Sequence, residues 1–361
     1  AAWQAAVARY PQAVSFEDPM LSLAMGPGTF GDPNHDVAWM IEGSQKIPWH
    51  GKREARGQQA QAEAAAARWE LDDAALKIVE STKLALADYY LAARGLALNS
   101  QSLELMRSFR EDANARYRAN LVTQQDILQA DLELSELGRR QFELDRMNRT
   151  AVARINTLLH RPPDARLPAA PDHLPAAAAV SPPEVTQLLA AARRPDLMVI
   201  GAEVQAERAK VELAELDYNP DLDVVARYDA FWQKADRNLA PMVGVNMNVP
   251  LDNARRRAAI RETQWRLDQR RAEFQSKLDE IRGELAADYQ QLEETRRTAE
   301  LLSEKSVPIA QDNLTSARGN YSAGKLDFLR LLEAERQTIL LQDKKEQALA
   351  DWYRALAAYE R

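Results

Sequence analysis

The sequence predicts a mainly α-helical chain with a small β part: very long antiparallel coiled-coil helices and four short β-strands. Three observations carry this. Proline is absent between Trp49 and Arg161, again between Pro250 and Pro308, and after Pro308, while Pro162, Pro163, Pro168, Pro171, Pro175, Pro182 and Pro183 crowd one short segment. A proline inside a helix costs about 3 kcal/mol, so the empty stretches suit long helices and the crowded one does not. Heptad spacing runs through one empty stretch, and four short segments alternate apolar and polar residues with period two.

Taken in order, Ala1 to about Tyr10 reads as a short helix with no visible signal peptide, so the chain is expected to begin after processing or trimming. A first hairpin over about 20–48 follows. In it Leu21, Leu23 and Met25 alternate with Ser22 and Ala24, the loop GPGTFGDPNHD intervenes, and Val37, Trp39 and Ile41 alternate with Ala38 and Glu42. Lys52 to Arg118 reads as one helix of ~100 Å at 1.5 Å per residue. A turn near 119–122 leads to a returning helix, whose Leu128, Leu132, Val152, Ile155 and Leu159 are expected to pair with it. Residues 161–183 form a Pro/Ala-rich linker, and Ser181-Pro182-Pro183-Glu184 reads as a capping box. The next helix is kinked at Arg194-Pro195-Asp196, reaches about Asp217, and is stopped by Asn219-Pro220.

The second hairpin, about 221–250, alternates more clearly. Leu222, Val224, Ala226 and Tyr228 oppose Asp223, Arg227 and Asp229; beyond a loop over 234–241, Val243, Val245, Met247 and Val249 oppose Gly244, Asn246 and Asn248. Asn253 to Ser322 is expected to be helical with a kink at Pro308. Its heptad positions are Leu278, Ile281, Leu285, Leu292, Thr295, Ala299 and Leu302, with Asp288 in the vacant slot. A turn near 323–326 and a helix carrying Leu332, Ile339, Leu349 and Leu356 complete the chain. Helices this long predict an elongated molecule.

Residues 1–160 and 184–361 read as two structural repeats flanking the linker. Asp18-Pro19 corresponds to Asn219-Pro220, and Pro48 before Lys52, Arg53 and Arg56 corresponds to Pro250 before Arg255, Arg256 and Arg257. Ala87-Asp88-Tyr89 matches Ala287-Asp288-Tyr289, and YRANLVTQQDILQAD from Tyr117 matches YSAGKLDFLRLLEAE from Tyr321. Four anchors in one order point to an internal duplication.

Composition removes several functions. A net charge of −7 argues against a nucleic-acid binder, and a cysteine-free chain has no disulfide or thiolate chemistry. His35, His50, His160 and His173 are far apart, so no metal site is expected, and Met20 with Met25 reads as strand packing. No phosphate loop, nucleophile elbow or carboxylate pair stands out, so neither enzyme activity nor a cofactor is expected. The basic clusters at Lys52/Arg53/Arg56 and Arg255/Arg256/Arg257 oppose the helix dipole and call for a partner, either a neighbouring glutamate or a layer of phospholipid headgroups.

The strands leave two readings open. Two hairpins could cap a helical bundle as a small sheet, or several chains could close one barrel with Asp223, Arg227 and Asn246 facing a wet lumen. Trp39, Trp49, Tyr228 and Trp232 stand where membrane-interface aromatics would be needed.

EDPMLSLAM, SQKIPWHGKREAR, RRPDLMVIGAEVQAERAKVELAELDYNPDL and YSAGKLDFLRLLEAERQ, in that twice-repeated order, resemble the TolC-like outer membrane factors. DPMLSL and PWHGKR resemble the heavy-metal efflux branch more than the drug-efflux branch. The resemblance implies a homotrimer sharing a twelve-stranded barrel in outer-membrane lipid, with a helical tunnel in the periplasm. It implies a passive exit duct for an inner-membrane pump joined through a periplasmic adaptor protein. The departures are a short N-terminal helix and the absence of an acylated cysteine. By the same resemblance, the turns Ala119-Asn120-Leu121 and Ala323-Gly324-Lys325 are adaptor-facing tips, and Asp126, Gln129, Arg330 and Glu333 line a periplasmic aperture, Arg330 replacing a family acid. A solvated helix tip is the plainer alternative for these charges. The rival functions are a soluble coiled-coil scaffold or adaptor without a barrel, and a type I secretion duct of the same architecture.

Overall fold

The computed structural model describes residues 1–27, 39–175, 181, 183–230, 241–249 and 251–361. Helices α1 (Ala2–Val7) and α2 (Arg9–Val14) precede strands β1 (Met20–Met25) and β2 (Trp39–Ile47). Helices α3 (Lys52–Arg118), α4 (Gln124–Leu158), α5 (Pro183–Arg193) and α6 (Pro195–Leu216) follow, then β3 (Leu222–Ala230) and β4 (Met242–Met247). Helix α7 (Asn253–Leu301), a π-helical turn at Leu302–Ser306, α8 (Val307–Ser322) and α9 (Phe328–Tyr359) complete the chain.

Helix α3 fills the proline-free span, and α5 and α6 meet at Arg194-Pro195. The helix expected to run from Asn253 to Ser322 is interrupted just before Pro308. Proline offers no N–H and crowds the carbonyl four residues back, and a π turn accommodates both. Helix α5 is described from Pro183, and the Ser181 carbonyl accepts the hydroxyls of Thr186 and Tyr359. His35, Val37, Ala38, Pro182, Trp232, Pro250 and most of both hairpin loops lie outside the described residues.

The chain divides into two compact units, Ala1–Asp73 with Ala190–Glu280, and Ala74–Leu189 with Ile281–Arg361. Each takes residues from both 1–160 and 184–361. In the first unit, α2 lies so close to α3 that a Cβ on Gly57 would stand 2.6 Å from a Val14 methyl. The four strands form one antiparallel sheet in the order β1-β2-β3-β4.

In the second unit, Ala85, Ala87, Ala92 and Ala113 of α3 are buried, and their small side chains permit close helix contact. Met106, Phe109, Leu137, Leu314, Tyr321, Phe328, Leu331 and Leu332 form the main apolar cluster. Ile281, Leu285, Leu292 and Ala299 of the heptad are buried. Asp88 accepts hydrogen bonds from Arg154 at 3.0 Å and Arg354 at 2.5 Å, joining α3 to α4 and α9. One expectation fails here. Leu128 and Leu132 are 58% and 61% exposed, because α4 packs through Ala130, Glu133, Leu137, Leu144 and Ala151 instead. Leu159 is exposed as well, whereas Leu332, Ile339 and Leu356 of α9 are buried as expected.

Two carboxylates are buried in this unit. Glu335 of α9 is 3% exposed, and its nearest cation is Arg318 of α8 at 3.9 Å. Glu133 of α4 accepts hydrogen bonds from Arg336 at 2.6 and 3.0 Å. Burial pushes the Glu335 carboxyl up to about 7; Arg318 opposes the shift and the Glu133 charge adds to it. The native state therefore holds this proton more tightly than the unfolded chain does. The stability this contributes is full below the ordinary glutamate range and is lost as pH rises through about 7. Glu335→Gln is expected to flatten that loss, with a gain approaching roughly 3 kcal/mol above pH 7. Parallel wild-type and variant denaturation curves across this range would show that Glu335 does not titrate there.

Candidate functional site

The sheet is the first candidate site, and its register defines two faces. Directly paired residues of antiparallel strands point to the same side. Leu21, Leu23 and Met25 pair with Gly43, Ile41 and Trp39, which pair with Ala226, Tyr228 and Ala230. Ala226, Val224 and Leu222 pair in turn with Val243, Val245 and Met247. This face is apolar apart from Gln45, whose amide donates to the Glu17 carbonyl at 2.8 Å. It is also open: Leu21 is 79% exposed, Val243 77% and Val245 61%.

The opposite face is charged. Glu42 pairs with Arg227, Lys46 with Asp223, and Asp223 with Asn246. Arg227 donates through Nε to Asp229 at 2.8 Å. Asp223, Arg227 and Asn246 thus share a face, together with Glu42 and Lys46, which the sequence reading left out of its lumen set. A period of two from Glu42, on the face opposite Trp39 and Ile41, passes Ser44 and reaches Lys46. Aromatics mark both ends of the longer strands: Trp39 and Tyr228 stand 5.9 Å apart between ring centres, and Trp49 follows β2, partly exposed. Trp232 lies outside the described residues. Strands β2 and β3 have nine residues each, the length of a tilted membrane-spanning strand. The outer edges of β1 and β4 pair with no strand among the described residues.

A buried ion pair ties the sheet to the helices of its unit. Lys52, at the start of α3, is 3% exposed. Its ammonium donates to Asp221 Oδ1 at 2.9 Å and to the Asn219 carbonyl at 3.1 Å, and lies 3.2 Å from Asp217. Asp221 Oδ1 also accepts the Trp49 N–H, and the Asp221 N–H donates to Asn248 Oδ1. For Lys52, the partner is therefore neither a neighbouring glutamate nor lipid. It is a pair of aspartates between α6 and β3, remote in sequence.

The tip turns of the second unit are the other candidate site. Asn120 and Gly324 hold φ of 59° and 70°, the left-handed region that glycine and asparagine tolerate best. Arg116 donates to the Tyr321 and Ser322 carbonyls at 2.9 and 3.2 Å and lies 4.4 Å over the Tyr321 ring, joining the α3 and α8 tips. Sequence reading missed Arg116, whose only local signal is its place beside Tyr117. Asp327 caps α9 by accepting the Arg330 N–H at 2.9 Å. Asp126 is half-buried, and burial together with the Asp327 charge raises its carboxyl, against a hydrogen bond from Thr123. Gln129 is half-buried with its Oε1 unpaired. Arg330 and Glu333 line an open groove of about 900 Å³ between α8 and α9 with Asn313, Asn320 and Gln337. The tip thus gathers the aperture candidates into two places, Asp126 and Gln129 on α4, and Arg330 and Glu333 on the α8–α9 groove. Ala119, Leu121, Ala323 and Lys325 complete the two turns.

Among the described residues no group of three or more His, Cys, Asp or Glu could hold a metal ion. No described helix is long and apolar enough to cross a membrane.

If the apolar face meets lipid, Val245→Asp should impair membrane assembly by ~2–4 kcal/mol at mid-depth and less toward a rim. Asn246→Asp, on the charged face, should be tolerated. Heat-modifiable mobility of the membrane-extracted protein reads both, and equal tolerance would point to a sheet in water.

Residues 188–360 match the family described as outer membrane efflux protein. Nodulation protein T of Rhizobium leguminosarum bv. trifolii is 22% identical over 314 residues, which is 79% of this chain. The chain spans 64% of the length of that relative. Among solved structures, the outer-membrane channel OprN matches with a TM-score of 0.82 at 20% identity, over 99% of this chain and 84% of that one. The outer membrane protein VceC of Vibrio cholerae matches with a TM-score of 0.82 at 18% identity, over 99% and 89%. CusC matches with a TM-score of 0.81 at 15% identity, over 99% and 86%.

Proposed function

We propose that this chain, whose residues 188–360 match the outer membrane efflux protein family, is a member of that family and the outer-membrane exit duct of a tripartite efflux assembly. Members of this family are non-enzymatic transport proteins. In this reading three copies close their sheets into a twelve-stranded barrel, lipid covers the apolar face, and Glu42, Lys46, Asp223, Arg227, Asp229 and Asn246 line the lumen. Trp39, Tyr228, Trp49 and Trp232 lie at the lipid interfaces. The helices continue the path through the periplasm to a periplasmic adaptor and an inner-membrane pump. Substrates, metal ions or drugs, pass without chemistry.

One observation carries the reading: a single sheet with one apolar exposed face, one charged face and two edges that no strand among the described residues pairs. A soluble sheet would cover the first and blunt the last. Closure by other copies resolves both. Two copies would give the smallest kind of barrel, filled by side chains, whereas three leave a lumen.

The tips are proposed as the aperture. There Asp126 and Glu333 form a threefold ring, Arg330 bridges between neighbours, and the turns 119–121 and 323–325 meet the adaptor. Charges in a narrow, poorly solvated ring interact more strongly than surface pairs. Cross-linking in detergent should give a trimer, and planar bilayers should show channels. Arg330→Ala and Asp126→Ala should raise single-channel conductance, and Glu333→Ala should weaken block by multivalent cations. A dimer or stable monomer without channels would overturn the duct; channels unaffected by all three variants would place the constriction elsewhere.

A further inference from the structure

The two basic clusters at the starts of α3 and α7 differ in what they hold. In the first, Lys52 and Arg53 are held by the protein. Lys52 is buried on Asp217 and Asp221, while Arg53 donates to the Val14 carbonyl at 2.8 Å and stacks 3.8 Å over the Phe16 ring. In the second, Arg256 donates to the Asp217 and Asp252 carbonyls. Arg257 and Arg261 do neither. Their Nε atoms donate to carbonyls of their own helix, Asn253 at 3.2 Å and Arg257 at 3.4 Å, and no carboxylate pairs with either among the described residues. The next arginines along α7 all have one: Arg266 pairs with Glu262, Arg270 with Glu203 and Glu273, and Arg271 with Asp268.

Arg257 and Arg261 stand one turn apart and, with Ala254 and Ile260, line an open groove of about 520 Å³. Just before it in sequence, beyond β4, Val249 and Leu251 are 64% and 83% exposed. Apolar surface therefore gives way to unpaired cations within a few residues. Both arginines belong to the first ~12 Å of α7. A headgroup layer is ~5–8 Å deep on each side of the hydrocarbon, and an arginine stem reaches across the difference. The helix dipole disfavours cations at this end unless an anion offsets them.

We propose that Arg257 and Arg261 form a phospholipid headgroup site, their guanidinium groups holding the phosphodiester of a lipid whose acyl chains lie against Val249 and Leu251. The site rests on the membrane reading above. A planar guanidinium suits two phosphate oxygens at once, and a lipid alone supplies both the anion and the apolar part. A lipid with net negative charge fits best, since a headgroup amine would cancel part of the attraction.

The test uses the full chain in phosphatidylcholine nanodiscs with and without phosphatidylglycerol, followed by mild detergent release and native mass spectrometry of retained lipid. The wild type should retain phosphatidylglycerol in preference to phosphatidylcholine. Arg257→Gln or Arg261→Gln should weaken that preference about fivefold, and the double variant about 25-fold. Arg271→Gln, whose partner is Asp268, should leave it unchanged. Undiminished retention by the double variant overturns the site, as does displacement of the lipid by millimolar inorganic phosphate, which would mark a simple anion site. The same preparations are tested for conductance in planar bilayers. A protein that conducts without lipid preference overturns this site alone, whereas one that neither inserts nor conducts overturns the duct and the site with it.

Discussion

An antiparallel sheet of four strands has two edges, and nothing in this chain's described residues pairs either one. Its apolar face is equally uncovered. Both conditions are unfavourable in water and both vanish if the sheet is closed by copies of itself within lipid. Much else can be understood as serving that sheet. Strand lengths, aromatic positions and the segregation of charge to one face all agree with one another, and agreement across independent features is stronger than any one of them.

The sheet is held at its base by Lys52. A buried ammonium is costly unless its donors are satisfied, and here Asp221, Asp217 and a backbone carbonyl satisfy them. The same Asp221 carboxylate takes the Trp49 N–H, so the exit of β2, the start of α3 and the approach to β3 are fixed by one group. Removing one partner would leave the other charge stranded, so the knot specifies geometry as much as it adds stability.

Much of the fold was legible because proline punctuation and helix length are local properties. Lys52–Arg118 follows from the absence of breakers, and Asn120 and Gly324 follow from turn chemistry. The strands were found by period two, but the seam joining β2 to β3 was not specified, since alternation says which residues share a face and not which strands are neighbours. On α4, apolar character misled. Leu128 and Leu132 looked like core, yet the helix packs through Leu137 and Leu144 with alanines and Glu133 instead. Hydrophobicity marks a surface that wants a partner without saying whether the partner is in the same chain. The Lys52 knot was hidden for a related reason, its aspartates lying in the other half of the sequence. The tip charges were identified by resemblance, whereas Arg116, which joins the tips, had no pattern to announce it.

The β2–β3 seam has nine residue pairs, against six for each of the other two, and joins strands from opposite halves of the chain. The flanking pairs close short loops within their own hairpins. Closing the central seam requires most of the polypeptide to be present, so its entropic cost comes late in folding. The hairpins can form as soon as each is made, but the surface with one greasy side and one wet side comes into being only when the two halves meet. A nascent or truncated chain therefore lacks the assembled surface on which association depends, and folding order itself guards against premature association.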